Sequence, residues 1–217
     1  MLDNVALEDP GQVSFGETAL TIEDVLAVAH ARAPVRLSRS PGYVAHIRSG
    51  AAFLDRVLQE DGVIYGVTTG YGDSCTVDIP PVLFGELPLH LLRFHGCGLG
   101  AHLSPEMARA VMAVRLASLS RGYSGVSWEL IERLEMLLNH DVTPLIPEEG
   151  SVGASGDLTP LSYVAALLVG ERDAVHNGAV RSAQDILADL DLAPLRLRPK
   201  EGLAIMNGTA MMTALAC

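Results

Sequence analysis

Residues 150–161 read Gly-Ser-Val-Gly-Ala-Ser-Gly-Asp-Leu-Thr-Pro-Leu, and at their centre Ala154-Ser155-Gly156 is a tripeptide able to close on itself. The amide nitrogen of Gly156 could attack the carbonyl carbon of Ala154. Loss of water from that carbon and from the Ser155 side chain would then leave a five-membered imidazolone with an exocyclic methylene, a strong electrophile. The closure presses a backbone nitrogen against a carbonyl two residues earlier, so it needs small side chains and a glycine without Cβ limits. Three letters alone are an ordinary loop tripeptide with Ser155 near a helix start; the twelve-residue setting makes them more. Asp157 is an N-cap residue type, Pro160 suits a first helical turn, and Leu161, Val164, Ala165, Leu167 and Leu168 recur at helical spacing. The tripeptide is thereby placed at a helix N-terminus, whose positive end would stabilise negative charge on the ring as a nucleophile adds to the methylene. A serine-hydrolase elbow is the rival reading and fails on pattern. Gly-x-Ser-x-Gly is absent, and Pro147-Glu148-Glu149-Gly150 is not expected to form the strand that leads into an elbow.

Outward from this segment the chain reads as mainly α. Thr21-Ile-Glu-Asp24 opens an amphipathic helix with Ile22, Val25, Leu26 and Val28, which Pro34 is expected to end. A second helix runs from about Tyr43 to Glu60, with Ile47, Ala51, Leu54 and Leu58 on one face and Gly62 as its stop. Ser104-Pro105-Glu106 starts a long helix to Gly122, and Ser127 caps another that ends near His140. Asn177-Gly178, between Ala174-Val175-His176 and Ala179-Val180-Arg181, signals a two-residue hairpin and is the one clear β element. Residues 1–16 are expected as a loose arm, 17–207 as the domain bearing the tripeptide, and 208–217 as the start of a central helical domain. The helix beginning there, with Met211, Met212 and Leu215, shows no C-cap, so its packing partners are expected elsewhere.

With 217 residues, 49% hydrophobic and 19% charged, the composition is that of a soluble globular chain with a sizeable core. The net charge of −11, with 15 scattered Lys and Arg, argues against nucleic acid or an anionic membrane surface as partner. No basic-then-apolar leader is visible, and Arg115 and glycines break the apolar stretches before the ~20 residues that a membrane span needs. The reading is a cytoplasmic protein with a small-molecule partner. Cys75, Cys97 and Cys217 have neither metal nor disulfide spacing and are expected as reduced, mostly buried thiols.

Three further segments carry chemistry. Tyr65-Gly-Val-Thr-Thr-Gly-Tyr-Gly72 holds three glycines in eight residues, which marks a sharply bent loop with exposed phenol and amide groups. The phenol either packs structurally or acts as a base. With an ordinary pKa of about 10, it needs positive charge or donors favouring phenolate, and glycine-borne amides could supply some. Asn207 stands alone after the apolar Leu203-Ala-Ile-Met206; a buried amide there is either a structural bridge or a pointed donor. In His90-Leu-Leu-Arg-Phe94-His95-Gly-Cys97-Gly-Leu-Gly-Ala-His102 the spacing matches no common zinc pattern, and His90 and His95 would lie about 140° apart on a helix. No metal is expected.

These blocks, in this order, resemble the histidine, phenylalanine and tyrosine ammonia-lyase family. Its members form a methylidene-imidazolone (MIO) group from Ala-Ser-Gly within Gly-Ser-x-Gly-Ala-Ser-Gly-Asp-Leu-x-Pro-Leu, a pattern that residues 150–161 match throughout. The resemblance implies the N-terminal part of the ammonia-lyase fold, ending at the start of a long central helix bundle. It implies that MIO arises from Ala154, Ser155 and Gly156 with no external cofactor, and that Tyr65 removes the substrate β-proton. By the same resemblance Asn207, within Lys200-Glu-Gly-Leu-Ala-Ile-Met-Asn-Gly-Thr209, contacts MIO and the reacting amino acid, while Gly72, Phe94 and His95 line the substrate pocket. Phe94 looks like the phenylalanine branch and His95 like the histidine branch. Either ring edge is chemically tolerable to an aromatic substrate, and the Phe94 and Val-Thr-Thr-Gly-Tyr-Gly versions tilt the expectation to tyrosine or phenylalanine, with histidine possible.

Family members are much longer, so the chain is expected to be an N-terminal portion, inactive alone and part of a homotetramer in full-length form. The implied reaction is non-oxidative deamination to an arylacrylate and ammonia. The alternatives are an aminomutase, which returns ammonia to the β-carbon, and a non-catalytic assembly module.

Overall fold

In the computed structural model, which describes residues 11–60 and 62–217, Thr21 opens the first helix with a capping box. Its hydroxyl accepts from the Asp24 amide at 3.1 Å, and the Asp24 carboxylate accepts from the Thr21 amide at 2.9 Å. Strand β1 (Val13–Phe15), helix α1 (Ile22–Ala29) and strand β2 (Val35–Leu37) form a small parallel crossover, with Val13 opposite Val35. Of the stretch expected as a loose arm, residues 1–10 lie outside the described residues, and Val13 and Phe15 are core positions. Helix α1 stops at Ala29, before Pro34, because His30 caps it and Ala31 turns into the left-handed region at φ +53°.

Helix α2 (Pro41–Gln59) begins at a Ser40 cap with proline in its first turn, two residues before the expected start. Two short 3-10 turns, Gly72–Thr76 and Pro81–Leu83, lead to α3 (Leu87–His95) and β3 (Leu99–His102). The long α4 (Pro105–Leu119) and α5 (Trp128–Asn139) follow, capped by Ser104 and Ser127 as their sequences predict. Then come β4 (Val142–Pro144), β5 (Pro147–Glu149) and α6 (Leu158–Leu168). A hairpin of β6 (Asp173–His176) and β7 (Ala179–Ser182) turns at Asn177 and Gly178, both with positive φ as a type I′ turn requires. Helices α7 (Ala183–Asp189), α8 (Glu201–Met206) and α9 (Ala210–Ala216) complete the chain.

The fold is mainly α, and the hairpin is not the sole β element. It joins β4 in a three-stranded sheet, and two further pairs are present, β1 with β2 and β3 with β5. Residues 147–149 therefore do form a strand, against expectation. Pro147 is tolerated because it is the first strand residue, and the Leu103 amide donates instead to the Ile146 carbonyl at 2.8 Å.

The core is built on α4, α5 and α6. Leu116, Leu134 and Val164 are fully buried, and α6 is buried from Pro160 to Leu168. Arg109 crosses this core satisfied: Nε donates to the Val28 carbonyl, and Nη1 to the Leu138 carbonyl and to Asp141, all at 2.9 Å. Its guanidinium thus ties the C-terminal ends of α1 and α5, where helix carbonyls lack partners. The cysteines correct the sequence reading: Cys75 and Cys97 are exposed and Cys217 is half-buried, the first in the short 3-10 turn Gly72–Thr76 and the second in the loop after α3 rather than on a core-facing helix. No helix among the described residues is long and apolar enough to cross a membrane.

Candidate active site

The Ala154-Ser155-Gly156 tripeptide lies in the loop between β5 and α6, with Ser155 and Gly156 in a turn and residues 151–156 all exposed. Asp157 occupies the N-cap position but does not cap α6. Its carboxylate, fully buried, turns back to accept from Ser151 Oγ at 2.5 Å and from the Val152 amide at 3.0 Å. The acid thereby pins the start of the loop and leaves the first-turn amides of α6 without a side-chain cap, so the positive helix end stays open. At the loop's base a Cβ on Gly150 would stand 2.7 Å from Thr159 Cγ2, so that end is tightly packed. Gly156 is the opposite: a Cβ there would meet only Asn207 Oδ1, at 3.5 Å. Small residues, a free glycine and open surroundings fit the backbone closure that forms MIO.

Asn207 ends α8 and is exposed, not buried as its apolar neighbours suggested. Leu203, Ile205 and Met206 turn into the core, and the C-cap position swings the amide out toward Gly156. Beneath the next residue lies Arg115 of α4, 4% exposed, whose Nη2 stands 2.4 Å from where a Gly208 Cβ would be. Its Nε and Nη2 have no partner among the described residues, and burial lowers its pKa to about 10.

The Tyr65 phenolic oxygen accepts the Gly72 amide at 2.8 Å, a glycine-borne donor of the kind the loop composition suggested. Gly66, at φ +71°, has no room for a Cβ, which would meet Tyr71 and Leu203 of α8 below 3.0 Å. Tyr71 stands edge-on to Tyr65 with ring centres 6.3 Å apart, and burial, then the Tyr65 phenol, pushes its pKa up to about 12. Lys200, just before α8, donates to the Tyr65 carbonyl at 2.8 Å, with its ammonium 5.6 Å from the Tyr65 ring centre.

Phe94 and His95 close α3. Phe94 is 80% exposed, with ring centres 5.1 Å apart in the pair. His95 Nδ1 donates to the Leu91 carbonyl at 2.9 Å, which leaves Nε2 free to face a ligand. Arg172 locks the end of this helix: its Nη2 donates to the Gly96 carbonyl at 2.8 Å, and its guanidinium lies 4.7 Å above the Tyr163 ring. The Tyr163 hydroxyl accepts from the Gly98 amide at 3.1 Å. The contacts of Arg172 and Tyr163 beside α3 were not visible in sequence, because their partners lie 76 and 65 residues away. Lys200 had a signal, as the first residue of its block.

Helices α3, α6 and α8 pack together and carry these segments, with Gly202 of α8 against Pro88 of α3. The structure brings Asn207 to Gly156, Gly72 to Tyr65 and Phe94 to His95. Among the described residues, no hydrogen bond joins Tyr65, Phe94 or His95 to the Ala154–Gly156 loop, and no three His, Cys, Asp or Glu cluster around a metal position.

Residues 20–217 match the family model described as aromatic amino acid lyase. A histidine ammonia-lyase of Staphylococcus aureus is 40% identical over 199 residues, which are 92% of this chain and 39% of that relative. The crystal structure of a tyrosine aminomutase from Streptomyces globisporus superposes with a TM-score of 0.86 at 38% identity, over 94% of this chain and 38% of that one. Phenylalanine ammonia-lyase from Rhodosporidium toruloides does so with a TM-score of 0.79 at 29% identity, over 97% and 32%. The chain spans about two fifths of the length of the curated relatives it matches.

Proposed function

The chain belongs to the aromatic amino acid lyase family, and from that membership we propose that the whole protein removes ammonia from an aromatic L-amino acid to give the arylacrylate. The observation that carries this reading is the approach of Asn207 Oδ1 to the Gly156 position, across an exposed turn at an uncapped helix start. An MIO formed from Ala154-Ser155-Gly156 would supply an electrophilic methylene for the substrate amine. The chain's own residues do the rest. Tyr65 takes the β-proton at its phenolic oxygen, where the Gly72 amide is already placed to favour the anion. Asn207 holds the amino acid beside the electrophile, and Phe94 with the free Nε2 of His95 contacts the substrate ring. Tyrosine or phenylalanine is favoured over histidine because Phe94, 80% exposed, offers a ligand an apolar ring edge. The same reading carries a cytoplasmic homotetramer that needs no external cofactor.

A second reading, return of ammonia to the β-carbon, is favoured by the likeness to tyrosine aminomutase. One experiment tests both. Peptide mass spectrometry on the whole protein should show the segment of residues 150–160 lighter by two waters, and turnover of tyrosine, phenylalanine and histidine should be followed by acrylate absorbance and amino-acid analysis. Acrylate as main product supports the lyase, and a β-amino acid the aminomutase. An unmodified segment with no turnover overturns both.

A further inference from the structure

Lys200 has no part in the roles carried over from the family, yet its geometry is costly and aimed. It sits in the left-handed region at φ +80°, uncommon for a residue with a Cβ and favoured where surrounding structure enforces it. That backbone turn sends its side chain to Tyr65, where Nζ bonds the carbonyl and stands over the ring. The loop it reaches is already docked on α8, since Gly66 leaves no space between Tyr71 and Leu203. We propose that Lys200 is a positioning residue for the base: it fixes the Tyr65 backbone through the carbonyl and lends the phenolate a positive charge. The proposal rests on the proton-abstracting role of Tyr65 given above.

The groups facing Tyr65 support it. From its own loop come the Gly72 amide, a donor, and the Tyr71 phenol, held neutral by burial. From the start of α8 comes Lys200. Arg198, the nearest other cation in sequence, is paired with Asp55 of α2, and it is Lys200 that donates to the Tyr65 carbonyl. Burial lowers the Lys200 pKa, as expected of an ammonium partly withdrawn from water.

The test uses the whole protein as wild type, Lys200→Gln, Lys200→Arg and Tyr65→Phe. Loss of the charge should move the acidic limb of kcat upward by about one pH unit, the scale of one charge 5.6 Å from the ring centre in a partly wet site. Lys200→Arg should restore the limb. Titration of phenolate absorbance reads the same group without turnover: the component missing in Tyr65→Phe should shift upward equally in Lys200→Gln. A uniform loss of kcat with an unmoved limb, or a phenolate component unmoved by Lys200→Gln, overturns the proposal. A moving phenolate component in a protein that releases no ammonia would uphold Lys200 and sink the lyase reading, so the two failures are distinct.

Discussion

Along α6, residues Pro160 to Leu168 are buried, whereas residues 151–156, just before Asp157, are all exposed. At α8 the same change happens in one step, from fully buried Met206 to exposed Asn207. The helix bodies and helix ends of this chain therefore divide the labour. The bodies bury Leu, Val, Ile and Ala and fix direction; the ends and the loops beyond them carry Phe94, Ser155 and Asn207, where side chains reach outward from a rigid support. Even the polar groups follow the division. Asp157 spends its carboxylate inward on Ser151 and Val152, and this leaves the tripeptide above it free of contacts that would hinder closure.

Two substitutions should separate body from rim most sharply. Ser155→Ala removes the proposed precursor of the methylene at an exposed position. It should cut turnover by about a thousandfold or more, since the electrophile that takes up the substrate amine would be gone, while leaving the thermal midpoint unchanged. Leu134→Ala, at a fully buried position of α5, should do the reverse: a loss of about 2–5 kcal/mol in denaturant unfolding, with normal kcat in the folded fraction. If Ser155→Ala retained turnover, or Leu134→Ala changed kcat without changing stability, the division would be broken.

The body was legible in sequence and the rim only in part, for a physical reason. Helix starts depend on neighbours three residues apart, so Thr21, Ser104 and Ser127 were read correctly, and the Asn177-Gly178 turn is equally local. The three-residue strands β1, β2, β4 and β5 are too short to show alternation; β3 is only four residues long, and its partner lies beyond α4 and α5. Asp157 was placed correctly at the helix start, yet its bonds go backward, because a carboxylate between a loop and a helix can serve either and composition does not choose. Asn207 misled for a related reason: apolar neighbours imply burial on a continuing helix, but the helix stops at Met206. The roles proposed for Tyr65, Phe94, His95, Ser155 and Asn207 rest on block resemblance, whereas the contacts of Arg172 and Tyr163 are ones that no local pattern reveals.

Gly202 lies where the two regions meet, since it lets α8, which ends in Asn207, pack on α3, which ends in Phe94 and His95. A Cβ there would stand 2.8 Å from Pro88 Cα, and backbone cannot swing aside as a flexible side chain would. Gly202→Ala should therefore cost about 1–3 kcal/mol by overpacking, partly offset by about 1 kcal/mol of better helix propensity. Because the displaced helix carries Asn207, kcat should fall with it, which neither substitution above achieves for both quantities. A more stable protein with unchanged kcat would show that α3 and α8 can part without disturbing the site.

The smallest effect is expected at Tyr71, which stands on the boundary itself, half-buried beside exposed Tyr65. Burial, then the neighbouring phenol, holds its folded-state pKa near 12, above an unfolded value of about 10. The fold thus prefers the neutral phenol. Stability from this preference is complete below about pH 10 and is lost as the pH rises through about 12, because the unfolded chain releases the proton first. Denaturant midpoints followed across that window should fall more steeply for wild type than for Tyr71→Phe, which has no proton to lose. Parallel curves would mean that the Tyr71 ring is wetter than its packing against Gly66 implies, and that the rim begins one residue deeper than the burial pattern places it.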